Sequence, residues 1–168
     1  LYVGTTMGEA YNGIIRGTSG HGSRAFGGNH RSVKQFPISS ISAEIAKFFR
    51  MAGQNLTIPT ACAAGNYAIA YAMDQIRSGH VQIAVAGGTD AFSRIAFLGF
   101  SRLQAMSPDV CRPFDRRRRG LLVGEGSGFL VLENESRARR RSAKIYAEAK
   151  GYGLSCDGFH IAAPHPSG

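Results

Sequence analysis

Residues 60–79 read TACAAGNYAIAYAMDQIRSG, one cysteine followed by a long run of small and apolar residues. From Cys62 to Arg77 nearly every side chain suits a helix, and the apolar ones fall almost all the way round it. That pattern predicts a helix buried on every side, hence one at the centre of the fold. Before it, LTIPT at 56–60 reads as a short strand, so Cys62 stands where a strand hands over to a helix. After it, VQIAVAGG at 81–88 is a continuous apolar run ending in glycines. Such a run predicts a strand covered on both faces in a largely parallel sheet. Strand, helix and strand in this order give an α/β layer plan.

Upstream, LYVGTT at 1–6 reads as a strand already under way, and GTSGHGSRAFGGNHRS at 17–32 as an exposed loop. Ser39 or Ser40 is placed to cap a helix whose Ile41, Ile45, Phe48 and Phe49 turn one face inward, ending near Gly53. Downstream, LLVGEGSGFLVLE at 121–133 sets Gly124, Gly126 and Gly128 two apart, on one face of an extended chain where another backbone can come close. A phosphate cradle is the sharper alternative. Such a cradle opens a helix, however, and these glycines run into the strand-like FLVLE with no following Gly-Lys-Ser/Thr. KIYAEAKGYGLS at 144–155 alternates as a last strand that pairs with its neighbour in a long hairpin.

With 168 residues, 43% of them hydrophobic, the chain suits one globular unit rather than a disordered segment. No uncharged apolar run approaches the ~18 residues of a membrane span. Three cysteines, Cys62, Cys111 and Cys156, without framework spacing or a signal peptide, fit reduced thiols in a cytoplasm-like compartment. The formal charge of +9 is concentrated in RRRRG at 116–120 and RARRR at 137–141. These runs are either solvated faces beside turns or a surface for an acidic protein. They carry no interleaved aromatics, which argues against single-stranded nucleic acid.

A thiol at the start of a buried helix feels the positive end of the helix dipole and several free amide hydrogens, which favour the thiolate, the species that attacks. The same amides can hold a developing oxyanion. Ala61, Ala63, Ala64 and Gly65 around Cys62 leave room for a substrate carbonyl. The competing reading of Cys62 is a buried packing residue. Cys111 and Cys156 lack this setting and read as structural.

TACAAGN, AVAGGTDAF (84–92), GFSRLQAMSP (99–108), RPFDRRRRGLLVGEGSGFLVLE (112–133) and AKIYAEAKGYGLSCDGFH (143–160) follow one another through nearly the whole chain. Together, in this order, they resemble the β-ketoacyl-acyl-carrier-protein synthases of the elongating type I and II class, including the ketosynthase domains of polyketide synthases. The resemblance implies a thiolase-like fold, α/β, whose two similar halves each build a mixed five-stranded sheet with helices on both faces. On this reading residues 1–168 are the central part of a ketosynthase domain, mostly its N-terminal half, truncated at both ends. Cys62 matches the family cysteine that takes an acyl chain from a carrier-protein thioester. Malonyl-carrier protein then loses carbon dioxide and its carbanion attacks the acyl-enzyme to give a 3-ketoacyl product. Phe100 falls where relatives line the acyl pocket. The resemblance further implies no resident cofactor, since substrates ride on the phosphopantetheine of acyl carrier protein. It also implies a cytoplasmic protein, a homodimer or ketosynthase heterodimer, and a basic surface that suits the acidic carrier protein. LTIPT resembles the strand that pairs across the family twofold axis.

The family's two active-site histidines, in HGT-type and GH motifs, and the lysine between them have no counterpart here, so this stretch alone is expected to take up an acyl group at most. His160 matches a family position outside that pair, His165 sits in an unmatched loop, and His21, His30 and His80 read as loop or surface. Cys156, His160 and His165 lack a fourth ligand at suitable spacing, so no zinc is expected. Ala162 stands where close relatives often carry a threonine near the pantetheine arm. Two other classes remain. A cysteine acyltransferase or thioesterase would release free acid and ignore malonyl donors; a noncatalytic carrier-protein-docking partner would keep its activity without Cys62.

Overall fold

The computed structural model describes residues 1–6, 38–160 and 163–167. The expected loop at 17–32, with His21 and His30, and the Ala162 position lie outside the described residues. Among the described residues four strands form one mixed sheet in the order β2-β1-β3-β4. They are β1 (Tyr2–Gly4), β2 (Leu56–Ile58), β3 (Ile83–Asp90) and β4 (Gly126–Glu133). β1 runs parallel to both β2 and β3, with Val3 opposite Thr57 and Gly87. β4 runs antiparallel to β3, with Gly87 opposite Phe129. Tyr2 and Val3 point to opposite faces of the sheet, and their exposures of 1% and 0% show that both faces are covered at this inner strand.

Among the described residues the helices are α1 (Ser39–Phe48), α2 (Ala64–Arg77), α3 (Arg94–Arg102) and α4 (Glu135–Arg140). The expected central helix is α2, entered through a 3₁₀ turn at Ala61–Ala63. Its Ala68 and Ala72 are completely buried against Tyr2, Ala84 and Ala86. Small side chains on both sides let helix and sheet approach closely, and alanine loses no rotamer freedom when buried. Ile58, Ile69, Tyr71, Ile76, Val81 and Leu132 close the margins of this contact. Tyr2 meets the edge of Tyr71 at 5.1 Å and donates its hydroxyl proton to Gln54 Oε1, so its polar end is satisfied within the core. Ser93 caps α3 by accepting from the Ala96 amide, and Asn134 caps α4 by accepting from Ser136.

Several expectations are corrected. Neither Ser39 nor Ser40 caps α1; Ile38 occupies that position without a side-chain bond, and both serines lie inside the helix. The inward row of α1 runs through buried Ser42, which receives a 2.7 Å hydrogen bond from the Thr57 hydroxyl on β2. Phe48 lies about 120° round the helix from Ser42 and is 80% exposed, while Phe49, just past the helix end, is 64% exposed. Residues 144–155 form no strand. After β4 the short α4 turns the chain aside, and the segment is fastened along α2 instead. Arg77 there donates to the Lys150 carbonyl, and Tyr152 donates to Asp74 Oδ2. Its alternating apolar residues therefore gain no sheet face, and Tyr146 and Leu154 remain exposed. Cys111 and Cys156 are not buried packing residues: both lie in irregular segments, and all three cysteines are free and exposed. Among the described residues no helix is long and apolar enough to cross a membrane.

Candidate active site

The ends of four elements meet at one place. β1 ends in Gly4, β3 in Asp90, β4 starts at Gly126 and α2 starts at Ala64, and between them lies a hollow of about 400 Å³. Open α/β sheets present ligand sites where parallel strands end and helices begin. Cys62 opens onto this hollow together with Ala61, Ala64 and Gly65 from the entry to α2. Its walls are mostly backbone: Gly4, Gly88, Gly124, Gly126 and Gly128 contribute no side chain beyond a hydrogen. The first turn of a helix carries amides without intrahelical acceptors; here the Ala64 amide donates to the Ala61 carbonyl within the 3₁₀ turn, and Thr6, Thr89, Asp90, Glu125 and Ser127 also line the hollow.

The local chain geometry explains why glycines converge here. A Cβ on Gly4 would lie 2.2 Å from the Ala64 carbonyl carbon and 2.4 Å from the Gly65 nitrogen, so the end of β1 touches the start of α2 through backbone alone. Gly65 and Gly88 also lie side by side, but a Cβ on Gly65 would meet Gly88 Cα at 3.6 Å, an ordinary van der Waals contact, so the close backbone approach is at Gly4. Ala61, immediately before the cysteine, has φ +56°. For a residue with a Cβ that left-handed conformation costs roughly 1–2 kcal/mol, and such strain persists only where the surroundings impose it. The strained turn lifts Cys62 out of the regular helix into an exposed position.

Two carboxylates line the same hollow. Asp90 Oδ1 accepts from the Thr5 hydroxyl at 2.7 Å and from the Thr6 amide at 2.9 Å, joining the ends of β1 and β3. Glu125 Oε2 accepts from the Phe92 amide at 3.3 Å, joining the approach to β4 to the turn after β3. Neither acid stood out in the sequence, although both sit inside stretches, TDAF and GEGSG, that had been singled out.

Gly124, Gly126 and Gly128 do share a site, but not for the expected reason: a Cβ on any of them would meet nothing within 4 Å. They keep the hollow open instead. The close backbone approach in this sheet is at Gly87, where a Cβ would lie 2.1 Å from the Gly128 carbonyl oxygen. Phe100 is half-buried on α3 and is not part of the wall around Cys62. Among the described residues no histidine lines the hollow: His80 bonds Ser78, and His165 bonds Ser167. Among the described residues no group of three or more His, Cys, Asp or Glu side chains is placed to hold a metal ion. Within the basic runs, Arg119 pairs with Asp109, Arg139 with Glu135, and Arg137 and Arg141 with Glu133.

A family model described as beta-ketoacyl synthase, N-terminal domain, matches residues 1–138. Nodulation protein E of Rhizobium meliloti is 41% identical over 133 residues, covering 79% of this chain and 33% of that protein. A putative mitochondrial 3-oxoacyl-[acyl-carrier-protein] synthase of Schizosaccharomyces pombe is 38% identical over 146 residues, covering 82% of this chain and 34% of that protein. Among solved structures, the ishigamide ketosynthase/chain length factor superposes with a TM-score of 0.83 at 44% identity, covering 95% of this chain and 40% of that one. The chain thus spans about a third of the length of these curated relatives. With a mixed α/β sheet, a cysteine at the entry to its central helix and a match over most of its length, the chain belongs to the beta-ketoacyl synthase family.

Proposed function

We propose that the protein containing this chain is a β-ketoacyl synthase that works by acyl transfer to Cys62 followed by decarboxylative condensation. The observation that carries the reading is Cys62 itself, raised on a strained turn at a helix entry and facing a hollow walled by glycine backbone. In the first half-reaction the Cys62 sulfur attacks the carbonyl carbon of an acyl thioester. A bond to Cys62 forms, the bond to the carrier sulfur breaks, and the carrier leaves as a thiol. In the second, a malonyl thioester loses carbon dioxide. The resulting carbanion attacks the acyl-Cys62 carbonyl, forming a carbon–carbon bond and releasing the Cys62 thiolate. Splitting one hard condensation into two easier steps is the general use of a covalent nucleophile. Amides at the helix entry stabilise the tetrahedral oxyanion formed in each attack.

The substrates are proposed to ride on the phosphopantetheine of acyl carrier protein, with no further cofactor. The relative named for acyl-carrier-protein chemistry supports this, as does the basic loop at 116–119, which suits an acidic carrier. Phe100 is proposed to contact the acyl chain away from the thioester. β2 is an edge strand of the sheet, which supports pairing with a second ketosynthase chain, identical or related; a cytoplasmic setting accords with three free thiols. The test is product formation by the full-length protein from acyl- and malonyl-carrier protein. Cys62→Ala is expected to lower 3-ketoacyl product at least about a thousandfold, as loss of a covalent nucleophile does. Product formed at an undiminished rate, or free acid as the sole product, contradicts the reading.

A further inference from the structure

Three backbones meet at the base of the hollow without a side chain to set their spacing. Gly4 from β1 presses on Ala64 and Gly65, and Gly65 in turn lies against Gly88 from β3. The parallel ladder pairs Gly4 with Gly88, and the Thr5 amide donates to the Ile58 carbonyl of β2. One step further along the strands a side chain adds a second tie between β1 and β3. Asp90 closes β3, and its Oδ1 accepts from the Thr5 hydroxyl and the Thr6 amide just beyond β1. Thr5 is 1% exposed, so the joint is sheltered from competing water on that side. Bonds to a carboxylate are about twice as strong as neutral ones. The chain of contacts therefore runs from Asp90 to Thr5 and Thr6, to Gly4, and then to the first turn of α2 beside Cys62. Thr6 and Asp90 themselves form part of the hollow's wall.

We propose that Asp90 is a positioning residue for acylation: it holds the end of β1 against the entry to α2 and so fixes where a thioester carbonyl lies relative to Cys62. This rests on Cys62 being the acylated nucleophile. Asp90 neither attacks nor transfers a proton in this account. Its effect is geometric, and misplacement of a reacting group by about 1 Å can slow a reaction on the order of a hundredfold.

The test follows acylation of the full-length protein by a hexanoyl thioester of acyl carrier protein, read by intact mass. In parallel, alkylation of Cys62 by iodoacetamide is timed by peptide mapping, which separates it from the exposed Cys111 and Cys156, since that small reagent needs no oriented carbonyl. Asp90→Ala is expected to slow the maximal rate of acylation about tenfold or more while alkylation changes by less than about threefold. Asp90→Asn retains an oxygen able to accept both bonds and should recover most of the lost rate. Thr5→Val, which removes one donor and keeps the shape of the side chain, should give an intermediate rate and guards against misfolding of the alanine variant. Equal acylation by Asp90→Ala and the native protein overturns the proposal, as does a matching fall in acylation and alkylation. If the native protein itself is not acylated at Cys62, the reading of the nucleophile fails instead, and the two failures are distinct.

Discussion

The place of Cys62 at a strand-to-helix boundary was legible because its neighbours in TACAAGN are so small. The conformation of Ala61 was not, since nothing in that string demands a positive φ from an alanine, and it appears only in the turn that joins β2 to α2. Asp90 was hidden for a related reason. Its partners, Thr5 and Thr6, are some 85 positions away and become neighbours only through parallel pairing of β1 with β3. The RARRR run shows the opposite case, where half of a sequence expectation survives. Arg137 and Arg141 lie on the surface, yet they converge on Glu133, whose side chain is only 6% exposed. The hydrogen bond from Arg141, helped by the charges of Arg141 and Arg137, holds the Glu133 carboxyl below its ordinary value against the opposing effect of burial. A carboxyl depressed in the folded state stabilises above its unfolded value, about 4.5, and that contribution is lost as pH falls through the folded value. Melting temperatures of the native chain and Glu133→Gln should therefore differ most near neutrality and converge in acid below about pH 4.5. A difference that stays constant down to pH 3, an acidity on the order of the ordinary carboxylate range, contradicts this assignment.

Among the elements, α2 and β3 were the most readable because both carry long apolar runs, although burial is not all round: α2 buries Ala64, Ala68, Ala70, Ala72 and Met73 and leaves Asn66 exposed, and Ile83 at the start of β3 is exposed. The 144–155 segment misled because alternation describes a strand only if a sheet edge is there to receive it. Here α4 diverts the chain, and bonds to Arg77 and Asp74 hold it along α2. Close backbone approach was expected at Gly124, Gly126 and Gly128 but falls on the facing strand, at Gly87. Gly87, on β3, is needed where the antiparallel pair closes: a Cβ there would lie 2.1 Å from the Gly128 carbonyl and 2.7 Å from Phe129 Cα. Gly128 has open space above it and faces the hollow. Gly87→Ala should thus cost about 2 kcal/mol or more in denaturant unfolding, since backbone has to move to admit the methyl group. Gly128→Ala should change stability by less than about 1 kcal/mol, and its effect should fall on the hollow. Equal destabilisation by the two substitutions is the outcome that contradicts this division.

Across the whole molecule, sheet order and site are one problem. The order β2-β1-β3-β4 brings the start of the chain between two later strands, so Gly4 and Thr6 reach a site otherwise built from residues 61–128. Fold class and family could be read from motifs in order; the assembly of the wall could not, because it depends on β1 inserting between β2 and β3. On the proposed reading this wall serves acyl transfer to Cys62. The most direct measurement is mass spectrometry of the full-length protein after exposure to an acyl-carrier-protein thioester, with peptide mapping of the modified residue and Cys62→Ala alongside. The account predicts a mass gain equal to the acyl group, located on Cys62 and absent from the variant. An acyl group found elsewhere, or one still gained by Cys62→Ala, would contradict it.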